Sequence, residues 1–170
     1  MPVYTDAQGL GTGDLTIVLV VATLAGVLVA MPVGVAADRI GRRPVLLVGI
    51  GIACLASIAA LVLDGTSLVA VAAVAFVFTL GAGPLYSLGS GQTNDYVPAR
   101  EFVAASGGLL CAWAVGASIG AAVGAQAMVM AGPRGLFLYE IAILMALGAF
   151  TVYRMARRPG RPNPVPRHEP

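Results

Sequence analysis

The sequence predicts an all-α integral membrane protein with five transmembrane helices, and three observations carry that prediction. Of its 170 residues, 58% are apolar and only 11% charged, and a mean hydropathy of +0.89 is more than a water-soluble core can hide. Five windows with little or no charge each reach the roughly 20 residues needed to cross the hydrocarbon. They are Leu15 to Ala37, Pro44 to Leu63, Gly65 to Asn94, Phe102 to Pro133, and Gly135 to Tyr153. Arginine gathers at alternate ends of these windows, as it does where a chain crosses a membrane repeatedly.

Lipid offers no partner for backbone N–H and C=O groups, so each apolar window must bond within itself as a helix. A transmembrane barrel would show shorter, alternating segments. Residues 1–13 carry no basic residue and no compact apolar core ahead of a cleavage site. They are read as an extracytoplasmic segment rather than a signal peptide, and Met1 is not taken as a natural beginning. Asp14 is placed to cap the first span, residues 15–37, and the second span is residues 44–63. Asp64-Gly65 forms a tight turn, with Thr66 or Ser67 capping the third span, 65–90. Gly132-Pro133 separates the fourth span, 102–131, from the fifth, 135–154. Residues 14–156 thus form the membrane domain, and 157–170, rich in Pro and Arg, a disordered cytoplasmic tail.

The charges orient the bundle. Arg39, Arg42 and Arg43 follow the first span, Arg100 precedes the fourth, and Arg154, Arg157, Arg158, Arg161 and Arg167 follow the fifth. The alternate loops hold only Asp64 and Arg134. The arginine side is therefore expected to be cytoplasmic, with the N-terminus outside and the C-terminus inside, in the cytoplasmic (inner) membrane.

Little else in the chain carries chemistry. Cys54 and Cys111 fall within spans and His168, the single histidine, lies in the tail, so neither a disulfide framework nor a metal site is expected. No cluster of acids and histidines and no nucleophile–base pair marks an enzyme. No cofactor and no nucleic-acid partner are expected.

The densest charge lies in Asp38, Arg39, Arg42 and Arg43. Gly34 is placed to let two helix ends approach closely. Asp38 falls at the negative end of its own helix, where a carboxylate needs an arginine or another helix N-terminus to hold it. On composition alone, a positive-inside anchor with an incidental acid explains the cluster as well as a functional loop does.

The order of residues adds to this. Gly34-Val-Ala-Ala-Asp-Arg-Ile-Gly41-Arg42-Arg43 resembles the signature loop of the major facilitator superfamily, G-x-L-A-D-R-x-G-R-R/K, with Ala36 where the family usually has Leu. In that family the loop joins the second and third helices and recurs in weaker form between the eighth and ninth. The downstream segments PLYSLGSGQTNDYVPAREFVAASGGLL, GASIGAAVGA and GPRGLFLY look like the tenth to twelfth helices of a drug- or sugar-transporter-like branch. Two departures stand out: Gly91-Gln92-Thr93-Asn94-Asp95 lacks a His that the branch carries, and Gly120-Ala121 lacks a Pro.

The resemblance implies that the five spans are helices eight to twelve, part of the C-terminal six-helix bundle of a secondary carrier, with Met1 to Gly11 the outer end of the seventh. It implies transport of a small-molecule substrate. It also implies a cytoplasmic gate built on Gly34, Asp38, Arg39, Gly41, Arg42 and Arg43, in which Asp38 meets a helix of the opposite half. That partner would be an N-terminal half outside this sequence, or a second copy of the chain in a half-size transporter. A non-transporting accessory protein or an inactive remnant is the alternative.

Several further residues are assigned on spacing alone. Gly81, Gly83 and Pro84 interrupt the third span and are read as a hinge, since Pro84 cannot donate to the carbonyl of Leu80. Tyr86, Ser87, Ser90, Gln92 and Asn94 follow the break and are candidate pathway residues, as are Trp113 and Gln126 on the fourth span. Ala112, Gly116, Gly120 and Gly124 recur every four residues and are read as a helix-packing face. Glu140, the one acid inside a span, is expected to snorkel to the outer interface, with proton coupling the lesser reading.

Overall fold

The computed structural model describes residues 11–63, 67–94, 97–98 and 101–157. Among these it contains six helices: α1 (Thr12–Ile40), α2 (Arg42–Val62), α3 (Leu68–Ala82), α4 (Leu85–Asn94), α5 (Phe102–Ala131) and α6 (Arg134–Arg157). Five helical stretches are long and apolar enough to cross a membrane, α3 and the start of α4 counting as one. The fold is therefore an all-α integral membrane bundle.

The helices survive in lipid because their polar side chains are satisfied locally. Thr23, Thr79, Ser118 and Thr151 each donate to the carbonyl four residues earlier, at 2.8–2.9 Å, so these four hydroxyls need no water. α1 begins at Thr12, earlier than expected. Asp14 does not precede the helix but acts from inside its first turn, where its carboxylate accepts the Gly11 N–H at 3.0 Å. Ser67 is the N-cap of α3 without a side-chain bond, its carbonyl accepting the Val71 N–H instead. The Asp64-Gly65 turn, Thr66 and the tail from Arg158 lie outside the described residues.

Short connections keep neighbouring helices antiparallel. Gly41 alone joins α1 to α2, at φ +93°, a conformation that only glycine adopts without strain. Gly132, at φ +67°, and Pro133 join α5 to α6. The arginine end thus holds Arg39, Arg42, Arg43, Arg154 and Arg157. The last two lie back over Phe150 and Tyr153, 5.8 and 5.4 Å from the ring centres.

α2 is the hub, packing on α1, α3, α4 and α6. Its buried residues Ala53, Ala56, Ser57 and Ala60 line one face, small enough for close approach. Three apolar clusters surround it. Val18, Ala60, Val71, Ala75 and Phe137 join α1, α2, α3 and α6 near one end, and Ile50, Ala53 and Leu144 join α2 to α6 in the middle. Ala37, Val45 and Leu88 join α1, α2 and α4 near the arginine end. α5 lies at the margin, touching α6 and α4 and almost entirely exposed.

α2 and α3 cross with their backbones in close contact. A Cβ built on Gly81 would lie 2.5 Å from both the Ala53 nitrogen and the Gly49 carbonyl oxygen, so the backbones touch there. Gly81→Ala should therefore destabilise the bundle by about 1–3 kcal/mol. Gly51→Ala on the open side of α2, where a Cβ meets nothing within 4 Å, should be neutral or stabilising by up to roughly 1 kcal/mol. Thermal unfolding of both variants in one detergent checks the contrast, and equal melting temperatures would refute it.

Candidate functional site

The arginine end contains an open cleft of about 410 Å3 between α1 and the α3–α4 break. Its volume lies within the roughly 300–1,000 Å3 of small-molecule sites. Gly26, Ala30, Val33, Gly34, Ala37 and Asp38 form the α1 wall, Gly83, Pro84, Ser87 and Leu88 form the opposite wall, and Arg42 of α2 closes the end. The charged loop and the helix break, separated by about forty residues of sequence, thus share one site. Spacing alone could not show this.

Each wall has a local cause. Pro84 has no N–H, so the helical ladder lapses after Ala82 and resumes in α4, where the Leu88 N–H donates to the Pro84 carbonyl at 2.9 Å. The Gly83 N–H still donates to Thr79 at 2.9 Å, so the interruption is confined to one turn. Ser87 donates to the same Pro84 carbonyl at 2.9 Å, and Ser90 to the Ser87 carbonyl at 3.1 Å. These hydroxyls hold the new helix start.

The sequence-assigned residues separate into groups. Gly34 borders the cleft, and a Cβ there would meet nothing within 4 Å. It therefore leaves room for the cleft rather than bringing two helix ends together. Asp38 is exposed at the mouth. Arg42 reaches across to α4, where a Cβ on Gly91 would lie 2.7 Å from its guanidinium carbon. Arg39 points elsewhere, into a shallow groove on α1 with Met31, Pro32 and Val35. Arg43 is half-buried at the start of α2.

Of the three residues read as a hinge, Gly83 and Pro84 line the cleft, whereas Gly81 is buried in the α2–α3 crossing and serves packing. Tyr86 lies outside the cleft and meets Trp113 of α5 edge-on, with ring centres 5.9 Å apart and planes at 60°. Gln92 and Asn94 belong to the last turn of α4. Gln126 is exposed on α5, thirteen residues from Trp113 and so about 20 Å farther along the axis. Gln126 therefore stands apart from the Tyr86–Trp113 contact.

The small-residue stripe on α5 is used over half its length. Gly124 is buried against Leu136 and Tyr139, at 3.4–3.5 Å from a built Cβ, and Gly120 faces the Tyr139 hydroxyl at 3.5 Å. Gly116 has nothing within 4 Å, and Ala112 is exposed.

Two features escaped the sequence reading. Pro32 sits inside α1, removing one ladder bond from a helix that nonetheless continues to Ile40; a lone proline within an apolar window was the available signal. Glu140 does not snorkel along its own helix. Its Oε2 accepts a hydrogen bond from the Oγ of the buried Ser57 on the facing helix α2, at 3.3 Å. Nothing in the local sequence pairs two residues so far apart. Among the described residues no three His, Cys, Asp or Glu side chains come together as a metal site.

Comparison with known proteins places this architecture. The family model described as Major Facilitator Superfamily matches residues 1–170. The proteins named "Uncharacterized MFS-type transporter YcaD" from Salmonella paratyphi B and from Salmonella newport are each 28% identical to the chain over 166 residues. The match covers 97% of this chain and 41% of each relative, so the chain spans about two-fifths of the length of the curated relatives it matches. No solved structure matches it. With five apolar helical spans, a family model covering the whole sequence and the charged loop set against a broken helix, the chain belongs to the major facilitator superfamily of membrane transporters.

Proposed function

We propose that this chain is part of the C-terminal bundle of a secondary carrier, with its spans as helices eight to twelve, moving a small molecule by alternating access with a partner half. The chain is a carrier component rather than an enzyme. The arginine end faces the cytoplasm, with the N-terminal side outside. The observation that carries the reading is the cleft that brings Asp38 and Arg42 against the break at Gly83 and Pro84.

A carboxylate at the mouth of such a cleft suits a reversible latch. It can accept hydrogen bonds from a helix N-terminus or arginine of the facing half when the cytoplasmic side closes, and release them when it opens. The lapse in the ladder at Pro84 lets α4 shift relative to α3 without breaking further backbone bonds. The exposed α5, with Gly116 open, supports a partner beyond lipid: the other half of the carrier, or a second copy of the chain.

Asp38→Asn in the assembled carrier should reduce turnover about tenfold or more, as expected for loss of a charge-assisted bond, at unchanged membrane abundance. Uptake equal to wild type at equal abundance would remove the latch role. For orientation, cysteines introduced singly at Ser67 and Arg157, after Cys54 and Cys111 are replaced, should react differently with an impermeant thiol reagent added outside. Ser67→Cys is expected to be labelled and Arg157→Cys protected; the reverse would invert the topology.

A further inference from the structure

The last half of α6 carries a stripe of side chains along one face. Ile143, Leu147, Phe150, Tyr153, Arg154 and Arg157 are linked by spacings of three and four residues, so they share an arc of about 120° and run roughly 21 Å along the helix. All six are exposed. Leu144 and Thr151, on a different face, are buried, with Leu144 packed on Ile50 and Ala53 of α2. α5 meets α6 nearer its other end, where Gly120 and Gly124 lie against Tyr139 and Leu136.

The stripe changes character along its length. Ile143 and Leu147 are aliphatic, Phe150 and Tyr153 bring in rings, and the arginines occupy the final turn. Arg154 lies over Phe150 at 5.8 Å from the ring centre, and Arg157 over Tyr153 at 5.4 Å. Two cation–π pairs of the same form thus follow one another, each joining residues four apart. A topological anchor requires only positive charge at this height. Stacking adds to that: it shields one face of each guanidinium from water and steadies it, leaving the N–H edge to bond an oxyanion.

In a bilayer such a face is covered by lipid or by another membrane helix. The order aliphatic, aromatic, cationic follows a phospholipid from its acyl chain through the interface to its phosphate. A second copy pairing through the same face would bring four arginines together at one height, with like charges opposed. Among the described residues, the acids at this end are Asp38 of α1 and Glu101 at the start of α5, neither of them on α6.

We propose that this face of α6 is a binding site for an anionic phospholipid, whose acyl chain lies along Ile143 and Leu147 and whose phosphate is held by the ring-stacked Arg154 and Arg157. A zwitterionic headgroup carries its own ammonium beside the phosphate and competes with the arginines for it, so the site selects lipid of net negative charge. It is separate from the cleft between α1 and the helix break, and does not rest on the latch or on the direction of transport.

Native mass spectrometry of the full chain, released from micelles containing equal amounts of phosphatidylglycerol and phosphatidylethanolamine, tests this. Phosphatidylglycerol is expected to be retained about tenfold over phosphatidylethanolamine, each arginine contributing a factor of roughly three to five. Arg154→Gln combined with Arg157→Gln should abolish the preference. Phe150→Leu combined with Tyr153→Leu keeps both charges and should lower it about threefold. Equal retention of the two lipids by the wild type, as expected if a protein helix covers the face, would overturn the proposal, and so would a preference unchanged in either double variant. A measurement on the wild type alone stands beside these: phosphatidylglycerol should raise its melting temperature more than the same mole fraction of phosphatidylethanolamine. Equal shifts would also overturn the assignment.

Discussion

The bundle depends on the place where the backbones of α2 and α3 touch, at Gly49, Ala53 and Gly81. Lipid tails are as apolar as leucine, so hydrophobic burial alone does little to hold membrane helices together, and close packing must supply the attraction. Absent side chains allow backbone dispersion contacts and weak Cα–H···O bonds across the crossing. The same crossing sets the cleft. Pro84 follows Gly81 by three residues, so fixing Gly81 against α2 also fixes where the ladder lapses and from where α4 sets out toward Arg42.

Much of the fold was legible in the sequence because lipid leaves the backbone few choices. An uncharged window of sufficient length must become a helix, whatever its neighbours, so the five spans followed from composition. The break at Gly132-Pro133 was legible because that pair cannot continue a helix, whereas the one-residue link at Gly41 was not read from the sequence. The half-buried and exposed faces were not legible, since apolar residues face lipid and protein alike. Val18 and Ile17 read identically in sequence, and only the packing of α1 on α3 and α6 separates them.

The site was partly legible. The charged loop and the break at Pro84 each carried a local signal, but their meeting is a long-range contact with no sequence period. Gly34 and Gly81 illustrate the limit. Both are glycines in membrane helices, yet one leaves open space beside Asp38 and the other is locked between two backbones. Glu140 failed for the converse reason. Snorkelling is a rule about a helix in isolation, whereas here the buried hydroxyl of Ser57 on the facing helix bonds the carboxylate.

The single-residue link at Gly41 has a mechanical consequence. With no slack between α1 and α2, neither helix end can slide along its axis without dragging the other, so Asp38 and Arg42 travel as one block. Any force applied to the carboxylate is delivered, undamped, to the helix on which α1, α3, α4 and α6 all rest. A longer, supple connection would absorb that force; this one turns the loop into a lever with its fulcrum in the centre of the bundle.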